Sequence, residues 1–421
     1  MATQEYLTVA DALALVLDGI DVLPAEQVPL TDALGRVLAQ PLVAQDSLPP
    51  FANSSMDGYA LRAADVSGAG KDEPVSLRVV GEVAAGQVPD VTLEEGTSAR
   101  IMTGAPLPPG ADAVIPVEDT SEPWRDPSRK LPQEIDVYRE VRAGDYVRYP
   151  GEDIEAGTEV LPSGHVMRAQ EVGVLASLGV ATVTVIRRPR VGILPTGDEL
   201  ISVTEALRPG KIRNSNGYAQ SAQVQELGAV AVPLGIARDT EEDVRHKLDA
   251  GLEADVDLFV SSAGVSVGAY DVVKAVLEAE GNVGFWRVRM RPGKPLAYGK
   301  YGGVPYLGLP GNPVSAMVSF ERFARPAILK MAGHQRLQRP QLEVEMLDDI
   351  TSDGRETYAR AMVEKRTDGT YVASLTGSQG SHIMTSLVKA NALVVVPEGV
   401  EHVRAGEMLQ ALMIDWPPAV F

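Results

Sequence analysis

The stretch that decides the fold lies between residues 258 and 316, and it opens with an apolar run that passes into glycines. Its first segment reads Leu258-Phe259-Val260-Ser261-Ser262-Ala263-Gly264-Val265-Ser266-Val267-Gly268. The apolar run predicts a buried strand, and a helix is expected over about residues 271–280. A strand that passes through a glycine turn into a helix is typical of a parallel sheet covered by helices.

The other two segments of this stretch combine glycine, proline and positive charge. They read Arg291-Pro292-Gly293-Lys294-Pro295 and Gly308-Leu309-Pro310-Gly311-Asn312-Pro313-Val314-Ser315-Ala316. No Asp or Glu occurs between residues 281 and 320, although the whole chain carries a formal charge of -19. A basic segment beside glycine turns, in so acidic a protein, indicates a binding site for an anionic ligand.

Strands and helices also alternate before this stretch. Strands are predicted at residues 191–194 and 230–234, each followed by a helix, and Thr240 is expected to cap the second of these helices. Pro313 is expected to open a last helix that reaches about residue 330. These elements predict a doubly wound α/β domain, whose ligands would bind at the carboxyl ends of the strands.

The flanking regions differ in character. Residues 7–20 and 31–39 are predicted to form helices, and the Gly-, Pro- and Val-rich region from about residue 50 to 120 is predicted to form a β domain. Residues 339–421 return to short strands and turns, which predicts a small β-barrel or sandwich.

Length and composition restrict the function. A chain of 421 residues suggests about three domains, and its net negative charge argues against binding nucleic acid or anionic membranes. The absence of cysteine excludes disulfides, thiolate metal sites and cysteine nucleophiles. We expect no signal peptide and no membrane span, and therefore a cytoplasmic protein.

Acidic residues follow the predicted strands at three places, namely Asp198-Glu199, Asp239 and Asp271. Asp239 and Asp271 leave neighbouring strands and could share Mg²⁺, which prefers oxygen ligands and is often held jointly with substrate phosphates. For both residues, capping of the helix that follows remains an alternative.

The glycine turn at residues 264–268 has three interpretations. Its backbone N–H groups could cradle a phosphate, or it could be an ordinary strand-to-helix connection. The turn also matches the Gly-x-Ser-x-Gly pattern of a hydrolase elbow, with Ser266 as nucleophile. The histidines that such a triad would need, His334, His382 and His402, lie beyond the α/β segment, which disfavours the elbow.

The run Arg287-Val288-Arg289-Met290-Arg291 alternates basic and apolar residues. If it forms one strand, its three arginines lie on one face, where guanidinium groups suit phosphates and tetrahedral oxyanions. The alternative is an edge strand protected by charge.

Seven segments in order resemble the MoeA family, the molybdopterin molybdenumtransferases, which include the C-terminal domain of gephyrin. They are Ser55-Met56-Asp57-Gly58-Tyr59-Ala60, Thr103-Gly104-Ala105-Pro106-Leu107-Pro108, Gly151-Glu152-Asp153-Ile154, Pro195-Thr196-Gly197-Asp198-Glu199-Leu200, residues 261–268, Pro292-Gly293-Lys294-Pro295 and residues 308–315. The resemblance implies insertion of molybdate into adenylylated molybdopterin, with Mg²⁺ and release of AMP. It also implies a homodimer, for which molybdopterin adenylyltransferase and molybdoenzyme maturation proteins are possible further partners.

The resemblance further implies four domains. A discontinuous helical and extended N-terminal domain would comprise residues 1–46 and 140–178, interrupted by an inserted β domain at residues 47–139. Residues 179–331 would form a MogA-like doubly wound α/β domain that binds molybdopterin, and residues 332–421 a C-terminal β-barrel domain.

The implied functional residues fall into three groups. Those assigned to catalysis are Asp57, Thr103, Glu199, Asp239, Asp271, Arg287, Arg291 and Lys294. Those assigned to binding the pterin and molybdate are Gly264, Ser266, Gly268, Pro310, Gly311, Asn312, Pro313, Ser315, Arg360 and Ser381. Asp271 and Asp239 are the implied metal ligands. Arg287 and Arg291 depart from some relatives, which carry lysine there, so charge is kept while a planar fork replaces a point charge.

Two other functions remain alternatives. One is the molybdopterin adenylyltransferase, which shares the α/β domain but would not need the β domains on either side. The other is a gephyrin-like scaffold that binds a receptor peptide, for which a fused partner domain and a long linker would be expected. The sequence leaves the choice between molybdate and tungstate open.

Overall fold

The chain folds into two units, seen in a computed structural model that describes residues 6–122, 130–262, 269–279 and 283–416. The large unit consists of residues 1–39, 166–168 and 183–421, and the small unit of residues 40–165 and 169–182.

The helices of the described residues are short, and none of them is long and apolar enough to cross a lipid bilayer. In chain order they are α1 (Val9–Asp18), α2 (Ala169–Ser177), α3 (Asn216–Glu226), α4 (Glu241–Glu253), α5 (Ala269–Ala279), α6 (Pro313–Ser319), α7 (Arg325–Met331) and α8 (Thr385–Val388). Short 3₁₀ turns occur at Leu30–Asp32, Ala63–Val66 and Val117–Asp119. A π-helical turn, Phe320–Ala324, joins α6 to α7.

The strands are likewise short. In chain order they are β1 (Tyr6–Leu7), β2 (Ala25–Pro29), β3 (Leu42–Val43), β4 (Asn53–Ser54), β5 (Gly58–Leu61), β6 (Val75–Val83), β7 (Thr97–Ile101), β8 (Ala113–Pro116), β9 (Glu134–Val137), β10 (Val147–Arg148), β11 (Glu159–Leu161), β12 (Thr182–Ile186), β13 (Arg190–Pro195), β14 (Leu200–Ile201), β15 (Ile212–Arg213), β16 (Val230–Pro233), β17 (Leu258–Ser262), β18 (Val283–Val288), β19 (Met290–Arg291), β20 (Pro295–Tyr301), β21 (Val304–Leu309), β22 (Gln341–Met346), β23 (Ile350–Thr351), β24 (Glu356–Lys365), β25 (Tyr371–Leu375), β26 (Ala392–Val396), β27 (His402–Val403) and β28 (Met408–Met413).

The large unit is built on a mostly parallel sheet with strand order β1-β18-β20-β21-β17-β13-β16. Strands β16, β13, β17 and β21 run parallel, and β20 runs antiparallel between β21 and β18. The central strands β13 and β17 are buried along nearly their whole length because helices cover both faces, so side chains of either parity are buried.

Alternate residues of the central strands show this double coverage. Ile193, Val260 and Leu307 face a core shared with α1, α3, α6 and α7. Their neighbours in sequence, such as Phe259 and Tyr306, face a second core shared with α4 and α5. The predicted doubly wound α/β domain is therefore confirmed.

The C-terminal region of the large unit forms a closed five-stranded barrel. The sheet runs β24-β25-β22-β28-β26, and pairing of β26 with β24 closes it. The barrel has its own core, yet Tyr358, Leu393 and Leu412 point outward into the cluster that α1, α6 and α7 form with the parallel sheet. This shared apolar cluster attaches the barrel to the α/β layer.

The small unit contains a five-stranded sheet with strand order β8-β5-β7-β6-β9. Successive residues of β5 face opposite sides, with Tyr59 in one core and Ala60 in the other. The pairs β4–β10 and β3–β11 also belong to this unit. Sequence analysis predicted β structure in this region, and its domain boundaries stay a prediction.

One local prediction fails near the N-terminus. The helix expected at residues 31–39 is wrong, since only a 3₁₀ turn forms before Gly35, whose φ of +74° ends the helical path. Val37 and Leu38 beyond it are extended and bridge to Val166 and Val185. The helix expected from residue 7 begins at Val9, and β1, which precedes it at the edge of the parallel sheet, was not predicted.

Asn391 provides a test of the barrel. It is 3% exposed, its Oδ1 accepts the Val363 N–H at 2.7 Å, and its Nδ2 donates to the Val363 carbonyl at 2.9 Å. We expect Asn391→Ala to lower the free energy of unfolding by about 2–4 kcal/mol, because two buried backbone groups lose their partner. Chemical denaturation measures this, and exposed Thr370→Ala in the same barrel should change it by less than about 0.5 kcal/mol.

Candidate active site

A cavity of about 730 Å³ opens in the large unit where β13, β17 and β21 end. Its wall on the α/β side comes from the end of β17, from the segments that follow β13 and β21, and from the start of α3. The barrel supplies the opposite wall. The lining residues are Thr196, Glu199, Leu200, Ile212, Arg213, Asn214, Ser215, Asn216, Ser262, Arg291, Pro292, Gly293, Lys294, Pro295, Pro310, Gly311, Asn312, Pro313, Ser315, Arg355, Gln379, Gly380 and Ser381.

Positive side chains dominate the charge of this cavity. Arg213, Arg291, Lys294 and Arg355 line it, against the single carboxylate of Glu199 among the described lining residues. Arg355 is paired with Asp353 at 2.5 Å, whereas no described carboxylate lies within salt-bridge distance of Arg291 or Lys294. These last two cations therefore remain available to an anionic ligand.

Arg360 adds a buried cation behind the barrel wall. It is 1% exposed, and its guanidinium donates to the hydroxyl of Ser386 at 3.1 Å and to the carbonyl of Gly380 at 3.2 Å. No carboxylate of the described chain pairs with it. Burial, and then the charge of Arg291, lowers the pKa of Arg360 to about 10. A buried cation held only by neutral acceptors is costly, and a bound anion would relieve that cost.

Three buried polar atoms belong to cavity-lining residues and have no hydrogen-bond partner within the described ranges. They are Thr196 Oγ1 after β13, Ser262 Oγ at the end of β17 and Asn216 Oδ1 at the start of α3. Buried hydroxyls and amides are normally satisfied, so these groups are available to a polar ligand or to water in the cavity. None of the three was predicted as a site residue, although Thr196 and Ser262 stand in segments that carry the family resemblance.

Side-chain amides fix the turn between β21 and α6. Asn216 Nδ2 donates to the Gly311 carbonyl at 2.8 Å, and Asn312 Nδ2 donates to the hydroxyl of Ser381 at 3.2 Å. The backbone N–H of Val314 donates to the Ser381 carbonyl at 3.1 Å. The structure thus brings the predicted residues Pro310, Gly311, Asn312, Pro313, Ser315 and Ser381 together at one cavity.

Two of the three acidic segments, those after β13 and β16, meet beside the cavity. The expectation that Asp239 and Asp271 leave neighbouring strands is wrong, because β13 lies between β16 and β17 in the sheet. Asp198 and Asp239 each accept the backbone N–H of the other, at 3.4 and 3.3 Å. Thr240 caps α4 by accepting the Asp243 N–H, so Asp239 is not the cap. Glu199 lines the cavity, and an added Cβ on Gly197, whose φ is +142°, would lie 2.4 Å from its carboxylate.

The arginine run is not one strand, which corrects that expectation. Val288 and Met290 are buried, while Arg287 and Arg289 are exposed, as the alternation predicts. However, β18 belongs to the parallel sheet and β19 to the barrel sheet. Arg289 pairs with Glu398 at 2.6 Å, and Arg291 lines the cavity. The three side chains therefore have different surroundings, because the chain crosses from one sheet to another.

Asp57 and Thr103 come together in the small unit, 46 positions apart in sequence. Asp57 Oδ1 accepts the Thr103 backbone N–H at 2.7 Å and the Thr103 hydroxyl at 2.8 Å. Both residues are exposed.

Four predicted residues cannot be placed fully. Gly264, Ser266 and Gly268 lie outside the described residues, so the phosphate-cradle and hydrolase-elbow interpretations both stay predictions. Asp271 lies on α5, directly after β17 and its turn, and its side chain also falls outside the described part.

The fold and the cavity define a multidomain protein with a predominantly positive cavity between a parallel α/β sheet and a barrel. The chain matches the MoeA N-terminal region (domain I and II) at residues 7–179 and the MoeA C-terminal region (domain IV) at residues 343–414. Residues 192–330 match a domain described as a probable molybdopterin binding domain. The chain belongs to the MoeA family, as the sequence predicted.

The relatives described next align with this chain over nearly their whole length. The molybdopterin molybdenumtransferase 2 of Mycobacterium tuberculosis (strain ATCC 25618 / H37Rv) is 40% identical, covering 91% of this chain and 93% of the relative. The molybdopterin molybdenumtransferase of Nostoc sp. is 37% identical, covering 97% and 94%. The crystal structure of the molybdopterin biosynthesis MoeA protein from Pyrococcus horikoshii OT3 is 31% identical, with a TM-score of 0.80 over 97% of this chain and 100% of that chain.

Gly197→Ala is predicted to displace the Glu199 carboxylate, because the new Cβ would overlap it. We expect kcat/KM for the molybdenumtransferase reaction to fall about tenfold or more, as is usual when a positioned charged group is moved. Gly228→Ala is the matched control, since Gly228 also has positive φ but open space around its Cβ position. It should show only a stability loss of about 1 kcal/mol, and equal kinetic losses in both variants would contradict the prediction.

Arg360→Met is predicted to weaken oxyanion binding about tenfold or more without lowering the melting temperature, because an uncompensated buried charge is removed. Arg36→Met is the control. Arg36 is 7% exposed but pairs with Glu26 and with the Ile186 carbonyl. Its loss should cost about 1–3 kcal/mol of stability. Calorimetric binding and melting curves measure both effects, and a destabilised Arg360→Met with normal affinity would argue against an anion site.

Proposed function

We propose that this protein inserts molybdate into adenylylated molybdopterin, with Mg²⁺ and release of AMP, as a molybdopterin molybdenumtransferase. The observation that carries the proposal is the set of cations without carboxylate partners, Arg291, Lys294 and buried Arg360, at the end of a parallel sheet. It lies in and beside the region that matches the molybdopterin binding domain. Molybdate and the two phosphates of the adenylylated pterin are all anions that such a site would bind.

The two walls of the cavity suggest a division of the substrates. The barrel wall carries Arg360, Gly380 and Ser381, a compact group suited to a small tetrahedral oxyanion. The α/β wall carries the unpartnered polar atoms of Thr196, Ser262 and Asn216, suited to the larger polar pterin. Holding both substrates in one cavity would raise the rate chiefly by proximity, and the cations would stabilise the charge on the departing AMP.

Magnesium would be held by Asp239 and Asp271 in this proposal. The donor chemistry fits, because Asp239 uses only its Oδ2 for the Asp198 N–H, and its Oδ1 has no partner among the described residues. The described residues contain no cluster of three or more His, Asp or Glu side chains that could hold a metal. A site in which substrate phosphates supply further oxygens is the usual arrangement for Mg²⁺. When bound, the ion would neutralise phosphate charge.

Glu199, Asp57 and Thr103 are the remaining residues with a proposed role in the reaction. Glu199, at the cavity wall, would orient the pterin or accept a proton. In the small unit, Asp57 and Thr103 form a hydrogen-bonded pair that would also act on substrate. We further propose that the protein is a cytoplasmic homodimer, which light scattering would test through its mass in solution.

Incubation with adenylylated molybdopterin, molybdate and Mg²⁺ tests the activity. We expect release of AMP that depends on molybdate. Consumption of ATP to make the adenylylated pterin would instead support an adenylyltransferase, and absence of both reactions would support a scaffold. Tungstate in place of molybdate shows whether the oxyanion is selected.

Asp239→Asn tests the metal assignment. We expect AMP release to fall about tenfold or more at low Mg²⁺ and to recover partly as Mg²⁺ is raised, because one anionic ligand is lost. Asp255→Asn is the matched control, an exposed aspartate of the same unit whose side chain has no hydrogen bond or ion pair in the described chain. A Mg²⁺ titration that is identical for the wild type and Asp239→Asn would sink the assignment.

A further inference from the structure

The N-terminal strand β1 brings an aromatic side chain to the basic edge of the site. Tyr6 pairs in parallel register with Arg287 of β18, and the Arg289 N–H donates to the Leu7 carbonyl at 2.8 Å. Tyr6 is therefore placed by backbone hydrogen bonds next to Arg287. Its side chain is 43% exposed, so the ring is not simply part of the core.

Two cations converge on this ring, and one of them, Lys294, lines the cavity. The guanidinium carbon of Arg287 lies 5.8 Å from the ring centroid of Tyr6, and the Lys294 ammonium nitrogen lies 5.4 Å from it. Arg287 Nη1 also donates to the Tyr6 hydroxyl at 3.3 Å. Both distances fall in the range of cation–π attraction. One phenol thus contacts two like charges that would otherwise repel each other.

The partner that Arg287 and Lys294 share is a neutral phenol and not a carboxylate. No described carboxylate forms an ion pair with Arg287 or Lys294. A carboxylate would hold the two side chains but cancel their charge, whereas a neutral phenol holds them and leaves the charge for a ligand. Lys294 lines the cavity, so the orientation of its side chain decides how its ammonium group would contact a bound ligand.

We propose that Tyr6 is a positioning residue for the oxyanion: its ring and hydroxyl hold Arg287 and Lys294 together, so that Lys294 is presented to the bound anion. The inference rests on the proposed function, because it assigns Tyr6 to the same anion site. The Val288 N–H donates to the Lys294 carbonyl at 2.7 Å, which fixes the backbone of Lys294 against β18. Tyr6 then restrains the side chain that this backbone carries.

Ionisation of the phenol gives the role a signature. The hydrogen bond from Arg287, and then Lys294, lowers the pKa of Tyr6 below its ordinary value of 10.0. These two are the charged groups of the described chain that act on it. Below that pKa the phenol is neutral and the cations are free for an anion. As pH rises through it, the phenolate pairs with them, and oxyanion affinity falls.

The test compares Tyr6→Phe, which keeps the ring, with Tyr6→Leu, which removes it. Molybdate binding is measured by calorimetry from pH 7 upward, together with kcat and KM for AMP release. At neutral pH we expect Tyr6→Leu to weaken molybdate binding about five- to tenfold and Tyr6→Phe about twofold, since only the first loses both cation–π contacts. For Tyr6→Phe, the alkaline fall of affinity should move to higher pH. Losses should appear in KM more than in kcat.

Tyr371→Leu is the matched control, because Tyr371 makes a similar contact, 5.5 Å from Lys365 Nζ, away from the cavity-lining residues. It should leave molybdate binding unchanged. Wild-type affinity in a folded Tyr6→Leu variant, or no molybdate binding by the wild type, would overturn the inference. If Tyr6→Leu does not fold, an unshifted alkaline profile in Tyr6→Phe would overturn it. Failure of AMP release alone would reject the proposed activity and leave the binding comparison valid.

Discussion

The main feature of the cavity is a group of positively charged side chains that have no carboxylate partner among the described residues. Arg291 and Lys294 line it without a described carboxylate partner, and Arg360 is buried behind it among neutral acceptors. In a chain with a formal charge of -19, carboxylates are abundant, yet Glu199 supplies the single carboxylate among the described lining residues. Asp353 pairs with Arg355, and the carboxylates of Asp198 and Asp239 each accept the backbone N–H of the other residue. The folded chain thereby accepts an electrostatic cost at this place that an anionic ligand would offset.

The parallel sheet explains why this charge is concentrated. Because β13, β17 and β21 run in the same direction, their last residues, Pro195, Ser262 and Leu309, lie at one edge of the sheet. A sheet of this kind exposes backbone and short polar side chains there, and the chain places Thr196, Ser262 and the turn before α6 at this edge. The barrel adds Arg355 and Ser381 from the opposite side, so residues distant in sequence line one cavity.

Much of this arrangement could be predicted from sequence, for identifiable reasons. The doubly wound domain follows from apolar runs punctuated by glycine and helix caps, which are local signals, and the cap at Thr240 was found where expected. The turn at Gly311 and the cation at Lys294 were also recognised because they stand in the acid-free segment. The family resemblance added Asp57, Thr103 and Arg360, for which the local pattern gave no functional signal.

What escaped prediction depends on pairing between distant segments. The two residues of β1 are too few to show a period, and their place beside β18 is set by tertiary contacts. The arginine run looked like one strand because alternation does not reveal that a chain leaves one sheet for another at Arg289. The helix expected at residues 31–39 failed because Gly35 adopts a left-handed conformation that propensity alone does not disclose.

The apolar cluster shared by the barrel and the α/β layer has a mechanical consequence. Tyr358, Leu393 and Leu412 of the barrel are buried with α1, α6 and α7, so the two walls of the cavity cannot separate without exposing that cluster to water. The distance between the two walls of the cavity is consequently fixed by the fold, and none of the binding energy of a ligand is used to bring the walls together. The size and charge of a candidate ligand then decide whether it fits between the two walls of the cavity.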